Sequence, residues 1–113
     1  MEAKIVELLT KLKTNSILFN DVISFIEQHY EHRPTAFRNG AHSNEATQNQ
    51  GSAKVFSFAK LNHLEKEDTL QLFAEHYQSV CNTPDGSDHQ NIRQFLLHGW
   101  DGIQFEGEAL RPR

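Results

Sequence analysis

The sequence holds a single cysteine, Cys81, and a single tryptophan, Trp100, in 113 residues. One cysteine excludes an intrachain disulfide and any zinc site built on several thiolates, and it fits a reducing, cytosolic setting. No apolar run approaches the roughly 20 residues needed to cross a bilayer, and the opening Met1-Glu2-Ala3-Lys4 lacks the apolar segment of a signal peptide. A soluble, cytoplasmic chain without a membrane partner is the expectation. Excess positive charge is missing too, since 11 Lys and Arg stand against 15 Asp and Glu for a net charge of −4. With the two signs interspersed, nucleic acid is not an expected partner. Gly-x-Gly-x-x-Gly, phosphate-loop, His-Glu-x-x-His and Gly-x-Ser-x-Gly patterns are absent, so no reaction can be written from a familiar enzyme signature.

Present instead are eight Phe and a hydrophobic share of 37%, a composition that folds. A chain of this length buries roughly two-thirds of its extended surface, which predicts one domain over residues 1–113. Ile5, Leu8, Leu9 and Leu12 repeat at i, i+3, i+4, i+7 and predict a helix over about 2–13. After the break at Thr14-Asn15-Ser16, Asn20 or Asp21 can cap a second helix, in which Val22, Phe25, Ile26, His29 and Tyr30 carry the stripe to about His32. Pro34 ends it, a short strand is expected at 35–38, and Asn39-Gly40 turns the chain. Between Asn39 and Ser52 there is no Val, Ile, Leu, Met or aromatic residue, which predicts a long polar loop.

Val55, Phe58, Ala59 and Asn62 then favour a helix over about 53–61 with Ser52 as cap, although Phe56 and Phe58 also alternate like a strand. Leu70, Phe73, Ala74, Tyr77 and Cys81 predict one helix from about Lys66 to Val80, with Glu75, His76 and Gln78 on its polar face. Ser87 with Gln90 reads as a capping box before Ile92, Phe95 and Leu96, Gly99 as a stop, and Ile103 and Phe105 as a strand over 103–106. The fold class is therefore α+β: a single compact domain of about five helices and a small two-stranded sheet, in which 35–38 pairs with 103–106. Trp100 is expected to be buried beside the last helix.

Seven histidines invite a metal reading, and His29 and His32 lie three residues apart. No carboxylate-rich partner set is near them, and a helix C-terminus favours charged histidine anyway, so no metal and no cofactor is expected. His42, His63, His76 and His98 read as solvated. Cys81 sits at an apolar helix position, where a thiol serves as a small hydrophobe. Asp88-His89-Gln90-Asn91-Ile92-Arg93 is denser in chemistry. The free N–H groups and positive dipole end of a helix start favour an anion, with Arg93 one turn beyond His89; alternatively Asp88 only compensates the dipole while Arg93 pairs with a nearby acid. Arg38, Asn39, Asn44, Glu45 and Asn49 in the polar loop either bond their own backbone or face Asp88, His89, Asn91 and Arg93 across a polar pocket, with Glu45 or His89 moving a proton.

Several strings in these same segments are long enough to be specific. His29-Tyr30, the stretch from Pro34 to Gly40, the stretch from Asn44 to Lys54, the stretch from Pro84 to Phe95, and Gly99-Trp100-Asp101-Gly102-Ile103-Gln104-Phe105 together resemble the HopJ type III effector family. The likeness runs from about Ile17 to Leu110, with Thr47 standing where the resembled motif has glycine. It implies a bacterial protein, with delivery into a host cell, and no defined activity, cofactor or catalytic residue. A helix pattern so close to Met1 leaves little room for an unfolded export segment, so a role in the producing cell is equally expected. Two functional expectations follow. The first is a protein-interaction domain that binds a protein partner through an exposed apolar patch. The second is a small-molecule binder or enzyme that takes an anionic ligand between the 39–52 loop and the 88–93 helix start.

Overall fold

A computed structural model describes residues 2–113. Helix α1 (Glu2–Lys13) buries Ile5, Leu8, Leu9 and Leu12, the stripe its spacing announces. It stops where Asn15 turns left-handed at φ 57° and the Ser16 N–H reaches back to the Lys11 carbonyl at 2.9 Å. Helix α2 (Phe19–His29) opens with the Asp21 carboxylate accepting the Leu18 N–H at 2.9 Å and buries Val22 and Ile26. The helical period predicts three further residues. Instead the chain extends at Tyr30 into β1 (Tyr30–His32), which pairs antiparallel with β5 (Leu110–Pro112) at the far end of the sequence. Tyr30 is buried all the same, its ring 5.6 Å from Phe58 and its hydroxyl accepting from Asn62 at 2.9 Å.

Strands β2 (Phe37–Asn39) and β3 (His42–Asn44) form a tight hairpin, and β2 also pairs with β4 (Ile103–Phe105), giving the order β3-β2-β4. Phe37 faces Phe105 in the register, so the expected 35–38 to 103–106 contact is present. The two-residue turn is Gly40-Ala41 rather than Asn39-Gly40, with Gly40 at φ 59°. There are thus two small antiparallel sheets rather than one two-stranded sheet. Much of the expected polar loop is ordered as β3 and the start of α3 (Gln50–Leu61). Hydrogen bonding by asparagine side chains replaces the apolar burial that the segment lacks. Thr47 does not take a positive φ, so its place demands no glycine.

Helix α3 is the centre of the fold. Ala53, Val55, Phe56, Phe58 and Ala59 are all buried, which resolves the strand-like alternation of Phe56 and Phe58 as a helix covered on several sides. The Phe56 ring lies 5.0 Å from Phe95, 5.4 Å from Phe73 and 6.1 Å from Phe37 between centroids. The single helix expected over 66–80 is divided into α4 (Lys66–Gln71) and α5 (Glu75–Asn82). Leu72 and Phe73 dive into the core at the division, and Ala74 takes φ 51°. That kink re-aims α5, so Cys81 is exposed rather than part of the apolar stripe. Helix α6 (Gln90–His98) buries Ile92 and Phe95 and runs into a 3-10 turn at Gly99–Gly102. Trp100 is half-buried, its rings 5.1 Å from Phe95 and its indole N–H donating to the Leu64 carbonyl at 3.1 Å. Among the described residues, six α-helices and two small sheets share one hydrophobic cluster, a single α+β domain.

Candidate functional site

The polar hairpin and the start of α6 meet in space, and asparagines join them. Asn39 on β2, Asn44 on β3 and Asn91 on α6 are 0%, 3% and 6% exposed. The Asn39 amide donates to the Asn91 carbonyl at 2.7 Å and to Asn91 Oδ1 at 3.0 Å. Asn44 and Asn91 form a reciprocal pair: Asn44 Nδ2 donates to Asn91 Oδ1 at 3.2 Å, and Asn91 Nδ2 donates to Asn44 Oδ1 at 3.0 Å. Asn49 adds a further donation to Asn44 Oδ1 at 2.7 Å. Only a side chain that both donates and accepts can sustain such a circuit, which is why one residue type fills four positions. Asn39 Oδ1 alone is buried without a partner among the described residues.

The remaining candidates divide. Arg38 and Glu45 lie on the outer side of the β3-β2-β4 sheet, at a shallow hollow of about 780 Å³ that also carries Lys60 and Glu106. Glu45 thus lines a different hollow from the one that His89 and Asn91 line. Asp88 and Arg93 take the structural alternative. Arg93 donates to Asp88 Oδ1 at 2.6 Å and to the Thr83 carbonyl at 2.8 Å, closing the turn before α6. Its guanidinium holds the Asp88 carboxyl below the ordinary carboxylate range. The Ser87 capping box is absent: Gln90 Nε2 donates to the Ser87 carbonyl, and His89, at φ 51°, is the residue before the helix. Nor does Ser52 cap α3, because Asn49 occupies that place with φ 50°. His29 bonds the Phe25 carbonyl and His32 bonds Gln50, and among the described residues no group of His, Cys, Asp and Glu could hold a metal.

Beside the asparagine circuit opens a cleft of about 450 Å³. Asn49, Gly51 and Ser52 from the start of α3 and His89, Gln90, Asn91 and Ile92 from the start of α6 line it, so two helix N-termini converge on one space. Neither helix has a side-chain cap, and the N–H groups of Gly51, Ser52, Gln90 and Asn91 have no acceptor among the described residues. His42 and His76 complete the polar lining, and Phe19 and Phe73 supply an apolar wall. No Asp or Glu lines it. Such walls offer hydrogen-bond donors and positive helix-dipole ends, while the carboxylates next to lining residues sit outside the lining: Glu75 accepts the Phe19 N–H at 2.7 Å, and Asp88 lies 3.9 Å from His89 Nε2.

Sequence reading placed His89, Asn49 and Asn91 here but missed His42, His76, Phe19, Gly51 and Phe73. His42 and His76, expected in solvent, are half-buried, because β3 and α5 turn them toward the cleft. The kink at Ala74 sets the direction of His76, and no local periodicity marks it. His63 and His98 are exposed.

The model of the HopJ type III effector protein family matches residues 5–110. A crystal structure of VPA0580, described as a protein of unknown function, is similar at 43% identity and a TM-score of 0.87, over 95% of this chain and 92% of that one. No curated protein matches. The match covers the hairpin, the central helix and both helix starts of the cleft, and on that span the chain belongs to the HopJ type III effector protein family.

Proposed function

We propose that this HopJ-family domain binds a small oxyanion in the cleft between the starts of α3 and α6. The observation that carries the reading is the convergence of two uncapped helix N-termini and His42, His76 and His89 on one space whose lining contains no carboxylate. Unpaired N–H groups at a helix start hydrogen-bond an anion, and aligned peptide dipoles favour its charge. Two starts aimed at one volume add these effects, and the volume suits a small metabolite. A protein-interaction role asks for an apolar patch. The exposed large apolar side chains, Val6, Leu18, Leu61 and Leu97, each occupy a different segment, which supports that role less. The proposed setting is cytosolic, either in the producing bacterium or, as the family description implies, in a host cell. No reaction is assigned to the cleft.

The test is an amide-resolved NMR titration with inorganic phosphate. Shifts concentrated at Gly51, Ser52, Gln90 and Asn91 are expected. Gly51→Ala should abolish them while preserving the fold, because the added methyl lines the cleft and meets the Phe19 ring at an ordinary 3.6 Å. Unmoved amides at tens of millimolar phosphate, or shifts centred elsewhere, overturn the reading.

A further inference from the structure

One wall of the cleft is a run of flat side chains. Phe19 stacks parallel to Phe73 with centroids 5.9 Å apart and planes 6° from parallel. Phe19 also meets His76 edge-on, with centroids 4.9 Å apart and planes 64° from parallel, and His76 meets His89 at 5.0 Å. All four residues line the cleft, so the run reaches from the buried Phe73 to the residue that precedes α6. The backbone fixes its middle: the Phe19 N–H, at the first position of α2, donates to the Glu75 carboxylate at 2.7 Å, tying α2 to the start of α5 that carries His76. A wall made only of rings presents π-faces and edges, which favour another flat ring over a saturated group of equal bulk. Histidine, whether neutral or charged, can take part in that stacking.

From this wall we infer that the cleft takes a flat aromatic ring bearing a phosphate or carboxylate. The inference rests on the oxyanion reading and adds the ligand body: the anionic group lies at the two helix starts and the ring lies along Phe19 and His76. Both poles are needed, because the helix starts cannot distinguish phosphate from a phosphate ester, whereas the aromatic wall touches nothing in a bare ion.

The experiment compares phenyl phosphate, cyclohexyl phosphate and inorganic phosphate, titrated into the full chain and followed by NMR. Phenyl phosphate is expected to bind at least tenfold more tightly than inorganic phosphate and severalfold more tightly than cyclohexyl phosphate, with additional shifts in the Phe19 and His76 ring protons. Phe19→Leu should remove the preference for the phenyl ester over cyclohexyl phosphate. Equal affinity for all three probes, at the same four amides, overturns the aromatic inference while the oxyanion reading stands. Preference for cyclohexyl over phenyl phosphate also overturns it, by showing a merely greasy wall. Failure of every probe to move those amides removes both. The ester comparison needs no variant, so it decides the matter even if Phe19→Leu does not fold.

Discussion

The asparagine circuit and the cleft beside it share Asn49 and Asn91, yet they use polar groups in opposite ways. In the circuit, amides spend their donors and acceptors on one another inside the protein, holding β2, β3 and α6 together. In the cleft, backbone donors at the starts of α3 and α6 remain without acceptors and face a space of about 450 Å³. Satisfied buried polar groups specify a structure, whereas unsatisfied ones at a surface opening are available to a ligand. Rigid bonding on one side of the same helix start is what holds the open donors of the other side in place.

The strongest way to break this contrast is Asn91→Ala. It removes three hydrogen bonds between buried amides, leaving Asn39 only the backbone carbonyl of residue 91, Asn44 Nδ2 only the long 3.4 Å bond to the Phe37 carbonyl, and Asn44 Oδ1 only Asn49. Each lost hydrogen bond is worth roughly 0.5–1.5 kcal/mol, so the variant should lose about 3 kcal/mol in chemical denaturation. A loss below about 1 kcal/mol would show that the circuit does not bind the hairpin to α6.

A smaller effect, of opposite sign, separates the two left-handed residues that precede the helices. Asn49 and His89 have φ 50° and 51°, where glycine is less strained. The His89 side chain makes no hydrogen bond to the circuit and touches the His76 ring at the cleft, so His89→Gly should raise stability by about 0.5 kcal/mol in thermal unfolding. Asn49→Gly gains the same backbone relief but forfeits the 2.7 Å donation to Asn44, so it should gain nothing or lose stability. Equal gains from both substitutions would mean that Asn49 contributes only its backbone.

Where sequence reading succeeded, the signal was local. The α1 stripe of Ile5, Leu8, Leu9 and Leu12, the turn near Gly40 and the alternation of Ile103 and Phe105 each arise from contacts or dihedrals that neighbouring residues determine. The failures have a common cause in long-range geometry. Tyr30 leaves the helix because Pro112 waits across from it, and α4 parts from α5 because the core draws in Leu72 and Phe73. At the site, the meeting of hairpin and α6 could be imagined from polar composition, since asparagines at 39, 44, 49 and 91 have little reason to cluster unless they bond. His42 and His76 carried no such mark. Their convergence depends on the hairpin turn and on the left-handed Ala74, neither of which leaves a histidine pattern in the chain. The pairing of Arg93 with an acid was one of the two readings its position allowed, whereas its bond to the Thr83 carbonyl, ten residues back, left no mark in the sequence.

The smallest expected effect concerns acid, at the Gln50 end of α3. Gln50 Oε1 accepts from the Thr35 N–H at 3.0 Å and lies 3.2 Å from His32 Nε2, so the imidazole is held against the start of the helix. Burial lowers the His32 pKa below its ordinary 6.5, and the nearby Lys54 ammonium lowers it further, against smaller opposing effects from Gln50 and Glu27. A base whose folded pKa lies below its unfolded value is matched in both states at higher pH. As pH falls below about 6.5, the unfolded chain takes up the proton first and folding loses stability. Glu27, held below its ordinary 4.5 chiefly by its hydrogen bond to Lys54, acts in the same sense at lower pH, weakly because it is exposed. The melting temperature should therefore decline modestly between pH 7.5 and 5.5, and His32→Gln should flatten that decline without altering phosphate titration of the cleft, which His32 does not line. An unchanged slope in His32→Gln would assign the acid sensitivity to another histidine, and a changed phosphate affinity would show that the clamp at Gln50 and the open donors of α3 are coupled rather than separate.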